Sequence, residues 1–532
     1  VTVTETPASA APEEEAPAVV APVDERGFAA LLGSGDPSSI GKLFIGTSLL
    51  FLLVAAVLGE LVAIERVDTS TVDLLDNSLA QVTTLHAIAG VFLVGLPLVI
   101  GILAAVVPLQ IGASTVAFPR ALAASYWTYL VSGGLIFAAY SINGGPFGGD
   151  REGVDLFVAA FIALVGALCL AAVVLATTVI TLRAPGMSLR RAPLLAWATL
   201  VSSVVWLLTL PVLAGLMLLV YVDHRYGRLF VGGNEVLYRH IAWVFFQPTI
   251  YAFVIPALGM IGDIVPVFAR RRHQLHGAAM TAIGLFGVLA IGAWTQTSVT
   301  VTGTTVMPWL YEYPWSVVSF AAVLPVLVLA ALWADTLRLG KPAPGSPLLF
   351  AVGALVMLLA GVAAGALGTI DGITNTLATW QVGMDHYIVL AIVLAAFGAL
   401  SFWAPKIYGA LLPERPAQLL AALALVGSIV LALPDLIAGL VEQTDVDTIE
   451  TLNAVSAAGG ALVAAVAVAF IFLLLATAVR SSDGPGDDPW AGHTLEWTTS
   501  SPPPVGNFAS LPAITSEAPL YDARHADAEV SA

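Results

Sequence analysis

LAQVTTLHAIAGVFLVGLPLVIGILAAVV, residues 79–107, runs for 29 residues without an Asp, Glu, Lys or Arg. A hydrocarbon core roughly 30 Å thick is crossed by about 20 apolar residues in a helix, so this stretch is long enough to span a membrane. Runs of the same kind recur near 40–64, 120–142, 153–182, 193–222, 239–268, 277–303, 313–337, 347–370, 380–406, 415–441 and 450–478, twelve spans in all. Turn-forming stretches separate them: GGPFGGDREG, RAPGMSLRRAP, KPAPGSP and PERPAQ. Only 11% of residues are charged and 58% are hydrophobic, whereas a soluble domain carries roughly 25% charge. That excludes a water-solvated globule and makes the lipid bilayer the main solvent. The expected fold is an all-α integral membrane protein, a twelve-helix transmembrane bundle over residues 40–478.

The net charge of −16 comes largely from the ends and short loops. Residues 1–39 carry Glu13, Glu14, Glu15, Asp24, Glu25 and Asp36 among Ala and Pro, and read as a disordered acidic tail. Residues 479–532 read as a Pro/Ser-rich, solvated C-terminal tail. No basic run is long enough for nucleic acid. An even span count puts both tails on one side, where fifteen Lys and Arg fall against five opposite. The positive-inside rule then places both termini in the cytoplasm. The N-terminus lacks the pattern of a cleavable signal. Lysine is scarce (Lys42, Lys341 and Lys406) beside seventeen arginines, which points to a GC-rich bacterium and its cell membrane. Cys169 sits in an apolar run and reads as a small buried side chain.

Ligating or ionisable groups at membrane depth are expensive and therefore candidate functional residues. His86 lies about seven residues into the second span and His386 about six into the tenth, both spans running from outside to inside. At 1.5 Å per residue both rings sit roughly 10 Å below the outer boundary. Equal depth suits two axial ligands of one upright haem; it equally suits two histidines satisfied by hydroxyls or carbonyls. His240 falls at a span edge, where water reaches it. Asp263, Asp385 and Asp435 lie within spans and either relay protons or stay neutral and hydrogen-bonded. His224, His273, His276, His493 and His525 are expected to be solvated.

Several longer segments resemble subunit I of the haem–copper oxidases, the catalytic subunit of cytochrome c oxidase. They are VPLQIGASTVAFPRALAASYW (107–127), TLRAPGMSLRRAPLLAWATLVSSVVWLLTLPVLAG (181–215), LYRHIAWVFFQPTIYAFVIPALGMIGDIVPVFAR (237–270), FWAPKIYG (402–409) and DPWAGHTLEWTTSSPPPVGNF (488–508). The resemblance implies a twelve-helix bundle in three pseudo-repeated arcs. It also implies that His86 and His386 are the axial ligands of a low-spin haem, and that Tyr251 is the family's helix-six tyrosine.

The departures from the family pattern bear on the second metal site. Gln247 stands at a copper-ligand position, Thr249 at that of a proton-loading glutamate, and Gln296 and Thr297 at the paired histidines of helix seven. Met384 replaces the axial histidine of the oxygen-binding haem, and Leu329 the lysine of a proton channel. Asp445 and Val446 replace the arginine pair that holds haem propionates. Copper needs imidazole, thiolate or thioether donors, so copper is not expected. Met384 is expected to pack rather than to ligate.

The reading that follows is a membrane haem protein with one low-spin bis-histidine haem of unassigned type. It would transfer electrons, exchange them with a periplasmic donor, and sit among other respiratory-complex subunits without reducing oxygen itself. The alternative is a cofactor-free structural or assembly subunit, and a third reading is an active terminal oxidase subunit.

Overall fold

Long apolar runs broken by Pro, Gly and short acidic caps dictate helices, because backbone groups in lipid must be paired within the segment. The computed structural model describes residues 34–67, 74–75, 78–227, 230, 235–292, 312–370, 372–442, 444–480, 484 and 486–530. The helices are α1 Pro37–Glu65, α2 Leu79–Gln110, α3 Pro119–Ser141, α4 Arg151–Thr181, α5 Leu194–Tyr226 and α6 Glu235–Ala269. They continue as α7 His276–Gly292, α8 Glu312–Leu339, α9 Ser346–Leu367, α10 Leu377–Tyr408, α11 Glu414–Leu440 and α12 Val446–Arg480, with α13 Pro519–Val530 after the bundle. No strand occurs among the described residues. Of these helices, eleven are long and apolar enough to cross a membrane. The expected seventh span begins in α7, which is apolar from His276 to Leu289, and its residues 293–303 lie outside the described ones.

Local chemistry sets the ends. Asp36 caps α1 by accepting from the Ser39 amide at 2.8 Å, with Pro37 in the first helical turn. Asp150 caps α4 through the Gly153 amide at 2.6 Å. α10 stops where Gly409 takes φ +70°, a left-handed turn that glycine adopts without strain.

Every fourth helix is central. In α2, 89% of the most apolar stretch is buried by protein, and in α6 and α10 the figure is 94%. The corresponding value for α1 and α12 is 22%. α10 packs against both α2 and α6, while the remaining helices surround them and α12 closes against α1. Outward-facing Leu50, Val57, Leu324 and Phe472 present apolar surface where lipid would lie.

The expectation of a solvated C-terminal tail is corrected at a set of anchor residues between Trp490 and Ala518, while much of 503–513 stays exposed. Leu495 and Glu496 are fully buried, and Trp497, Ile514 and Ala518 nearly so. The Trp490 indole donates to the Phe402 carbonyl at 2.9 Å, and the Asn507 amide to the Ala113 carbonyl at 2.8 Å. Average composition misled here because a few large apolar anchors are enough to dock a segment otherwise made of Ser, Pro and acids. The described residues of the expected tail 1–39 begin only at Ser34. Gly35–Ala532 forms one unit, and all the geometry below belongs to it.

Candidate functional site

His86 enters from the first turns of α2 and rests on α1. Its Nδ1 lies 2.8 Å from the Ala55 carbonyl. A carbonyl only accepts, so Nδ1 carries the proton and Nε2 keeps a free lone pair. The ring packs against Gly59, where an added Cβ would sit 2.5 Å from the His86 Cε1. Glycine at that position is what lets the ring reach α1. Just beyond His86, residues Ala89–Gly95 form a π-helical stretch, a widened turn of the kind often found at functional sites. The Tyr129 hydroxyl donates to the Leu93 carbonyl there at 2.7 Å.

His386 on α10 faces His86 with ring centroids 6.3 Å apart and planes tilted by 59°. Its Nδ1 is 3.3 Å from the Asp435 Oδ2 on α11, a close polar contact rather than a well-aligned hydrogen bond. The other oxygen of Asp435 accepts from the Arg66 guanidinium at 2.8 Å. Arg66 also donates to the Asn453 Oδ1 at 3.2 Å, and the Asn453 amide returns a bond to the Arg66 carbonyl at 2.7 Å. The end of α1 and helices α10, α11 and α12 thereby fix one imidazole. Two imidazoles bound to opposite sides of one metal ion, with bonds of about 2.0–2.1 Å, have ring centres about 6–6.5 Å apart. The observed spacing fits a metal atom between the rings. Each histidine also has an oxygen at its other nitrogen, the arrangement that orients metal-bound imidazoles. The residues present therefore fit a bis-histidine haem. Three more carboxylates have a buried oxygen with no hydrogen-bond partner among the described residues: Glu60, whose Oε2 faces Gly460, Asp385 beside His386, and Glu496 in the C-terminal segment.

The other sequence candidates fall elsewhere. Met384 packs into an apolar cluster with Trp380, Ala364 and Leu436, and Leu329 is fully buried. Gln247 and Tyr251 are in α6 with side chains outside the described residues, as is the side chain of His240. Gln296 and Thr297 lie outside the described residues altogether. Asp445 precedes α12 and accepts from the Thr448 amide at 3.3 Å, so its carboxylate caps a helix. Asp263 does similar work: its two oxygens accept from the Leu194 and Leu195 amides at the start of α5, at 3.0 and 3.2 Å. The Gln110 amide bridges Asp263 at 2.8 Å and Glu496 at 3.2 Å. Burial pushes the Glu496 carboxyl above the usual carboxylate range.

The expectation that the loop and tail histidines are all solvated is corrected for two of them. His273 and His493 are buried where the C-terminal segment meets the bundle, and burial holds them down to about 4 and about 3. His273 Nε2 lies 2.9 Å from the Gly262 carbonyl, and the His493 ring meets Tyr521 edge-on at 4.8 Å. Lys406 anchors the same segment. Its ammonium donates to the carbonyls of Asp487 at 2.8 Å and Thr499 at 2.6 Å.

Sequence reasoning missed Arg66, Asn453, Gly59 and Glu60. Arg66 and Glu60 were legible as charged residues at the end of a span; Asn453 and Gly59 carried no signal, since their role depends on which helices meet.

Residues 39–480 match the family described as Cytochrome C and Quinol oxidase polypeptide I. The chain is 31% identical over 523 residues to a putative cytochrome c oxidase subunit 1-beta of Streptomyces avermitilis, covering 93% of this chain and 92% of that protein. It is 30% identical to a probable cytochrome c oxidase subunit 1-beta of Nocardia farcinica, over 92% of this chain and 87% of that one. It is 28% identical to cytochrome c oxidase subunit 1 of Bacillus subtilis, over 91% and 82%.

Proposed function

Because the chain belongs to the family of cytochrome c and quinol oxidase polypeptide I, we propose that it is a membrane cytochrome that holds one low-spin haem and transfers electrons without reducing oxygen itself. The observation that carries the reading is the His86–His386 pair, 6.3 Å between ring centres, with an oxygen at the Nδ1 of each. Haem, when bound, supplies one-electron redox chemistry. His86 and His386 would hold it from α2 and α10. The Ala55 carbonyl and Asp435 keep the two rings turned toward each other, and Arg66 offsets the buried charge of Asp435.

Two features support the loss of the second metal site, and a third bears on electron exchange at the first. Amide and hydroxyl groups, poor copper donors, stand at Gln247, Gln296 and Thr297. Met384 sits in an apolar cluster of α9, α10 and α11. His86, seven residues from the start of α2, lies within about 10 Å of that helix end, close enough to an aqueous face for a periplasmic donor to reach. The setting that goes with this reading is a bacterial cell membrane with both termini in the cytoplasm and other respiratory subunits alongside.

The purified chain should show the alpha band of a bis-histidine haem and about one haem per chain by pyridine haemochrome. Two haems together with copper would overturn the proposal. One observation favours a second reading, a cofactor-free structural or assembly subunit. At the family's propionate-binding arginines stands Asp445, a helix cap, while Arg66 is already paired with Asp435. Under that reading His86→Ala leaves colour unchanged; loss of haem on that change rules it out.

A further inference from the structure

At the end of the bundle where the C-terminal segment docks, α5 and α7 leave a groove of about 660 Å³. Arg190 stands at its mouth, Trp197 forms one wall, and Gly277, Thr281, Gly284 and Leu285 of α7 form the other. Two glycines make the groove. A Cβ on Gly277 would meet nothing within 4 Å, and one on Gly284 would meet only the Trp197 ring at 3.6 Å. Trp197 cannot swing in to fill the space, because its indole N–H is held by the Met280 carbonyl at 2.9 Å.

Charge and depth identify what fits. Arg272 is paired with Glu517 and Asp522, and Arg191 bonds the Gly186 and Ile514 carbonyls. Arg190 is exposed and makes no hydrogen bond or ion pair with the described residues. It stands just before α5, at the end of a span where a bilayer's headgroups would lie, and Trp197 lies in the first turns of that helix, where indoles favour the interface. Gly284 lies two helical turns further along α7, roughly 10 Å deeper, and the groove there is apolar. A cation at the rim and an apolar slot below it complement a molecule with an anionic head and an acyl chain.

We propose that this groove binds an anionic phospholipid, its phosphate on Arg190 and one acyl chain along Trp197 and the Gly277–Gly284 face. A guanidinium at a membrane surface favours an anionic lipid about fivefold.

The test uses the full chain in nanodiscs of phosphatidylcholine doped with bromine-labelled lipid, read by tryptophan fluorescence. Labelled phosphatidylglycerol should quench more than labelled phosphatidylcholine, with about a fivefold difference in half-saturating mole fraction. Trp197→Phe should remove that extra quenching, and Arg190→Gln should bring the two lipids level. Soluble glycerol phosphate should not compete. Equal quenching by both lipids in the unmodified chain would overturn the proposal, as a mere boundary lipid would behave that way. Quenching by neither, as expected if a partner subunit's helix fills the groove, would overturn it too. Unchanged helical circular dichroism and an unchanged thermal midpoint of both variants show that they remain folded.

Discussion

Asp435→Asn is the change that most directly probes the proposed haem site. Asp435 is 1% exposed and serves two partners, Arg66 at 2.8 Å and His386 at 3.3 Å. Removing one partner of a buried ion pair costs about 3–5 kcal/mol when the other is trapped without water. Arg66 is 30% exposed and keeps Asn453 at 3.2 Å, so the cost to folding should fall to about 1–3 kcal/mol. The effect on His386 is separate. An oxygen at the second nitrogen of a ligating imidazole is worth about 10–100-fold in metal affinity, and the shape-conserving amide keeps volume while removing the charge. The assay is haem retention by the purified variant in competition with a soluble haem-binding globin, followed at the alpha band. Low-temperature paramagnetic resonance of the ferric form reports the ligand field. Retention down by at least tenfold with a shifted ligand field is expected. If the variant binds haem as tightly as the parent with an unchanged spectrum, Asp435 does not orient a ligand, and the assignment of His386 loses its structural basis.

Four further outcomes follow from the same geometry. Gly59→Ala places a Cβ 2.5 Å from the His86 ring and should lower haem content severalfold, although alanine favours an isolated helix over glycine by about 1 kcal/mol; full haem content would show that His86 does not need α1. Met384→Leu should leave the spectrum unchanged, and a shifted ligand field would make its thioether a ligand. Lys406→Met strips the donor from two carbonyls at 2.8 and 2.6 Å, each worth about 1–3 kcal/mol when buried and left unmade. Amide exchange in residues 486–508 should then accelerate by at least tenfold, and unchanged exchange would refute the anchoring role. His273 and His493 are held neutral by burial, at about 4 and about 3, both below the ordinary 6.5. Their contribution to docking is therefore complete above pH 6.5 and declines as pH falls toward those values. At pH 5.5 the loss is about 1.4 kcal/mol for each histidine exposed on undocking. Proteolysis of the C-terminal segment should speed up between pH 7.5 and 5.5, and a flat profile would count against this account.

Much of the fold was legible because lipid imposes a simple rule on sequence. Long uncharged runs such as residues 79–107 must be helices, and turn residues must separate them. The paired histidines were legible too, since equal distance from two span ends gives equal depth. The C-terminal segment was not. Composition averages over residues 479–532, whereas docking rests on a handful of them, among them Trp490, Leu495 and Trp497, and on carbonyls offered to Lys406. A carbonyl's availability leaves no trace in the residue that carries it.

The sequence by itself determined that this chain lives in a membrane, that its spans are helical, and which side chains at membrane depth could ligate a metal. Read beside the family resemblance, it also supports the proposal that Gln247, Gln296 and Thr297 stand where the family carries copper ligands. Only the tertiary structure decided which helices are central and that His86 and His386 face each other at 6.3 Å. It alone placed Gly59, Asp435 and Arg66 around the two rings and turned Asp263 and Asp445 into helix caps. The physical reason is that hydropathy depends on a residue and its near neighbours. A hydrogen bond between α1 and α11 joins residues 369 positions apart and exists only once those helices pack together.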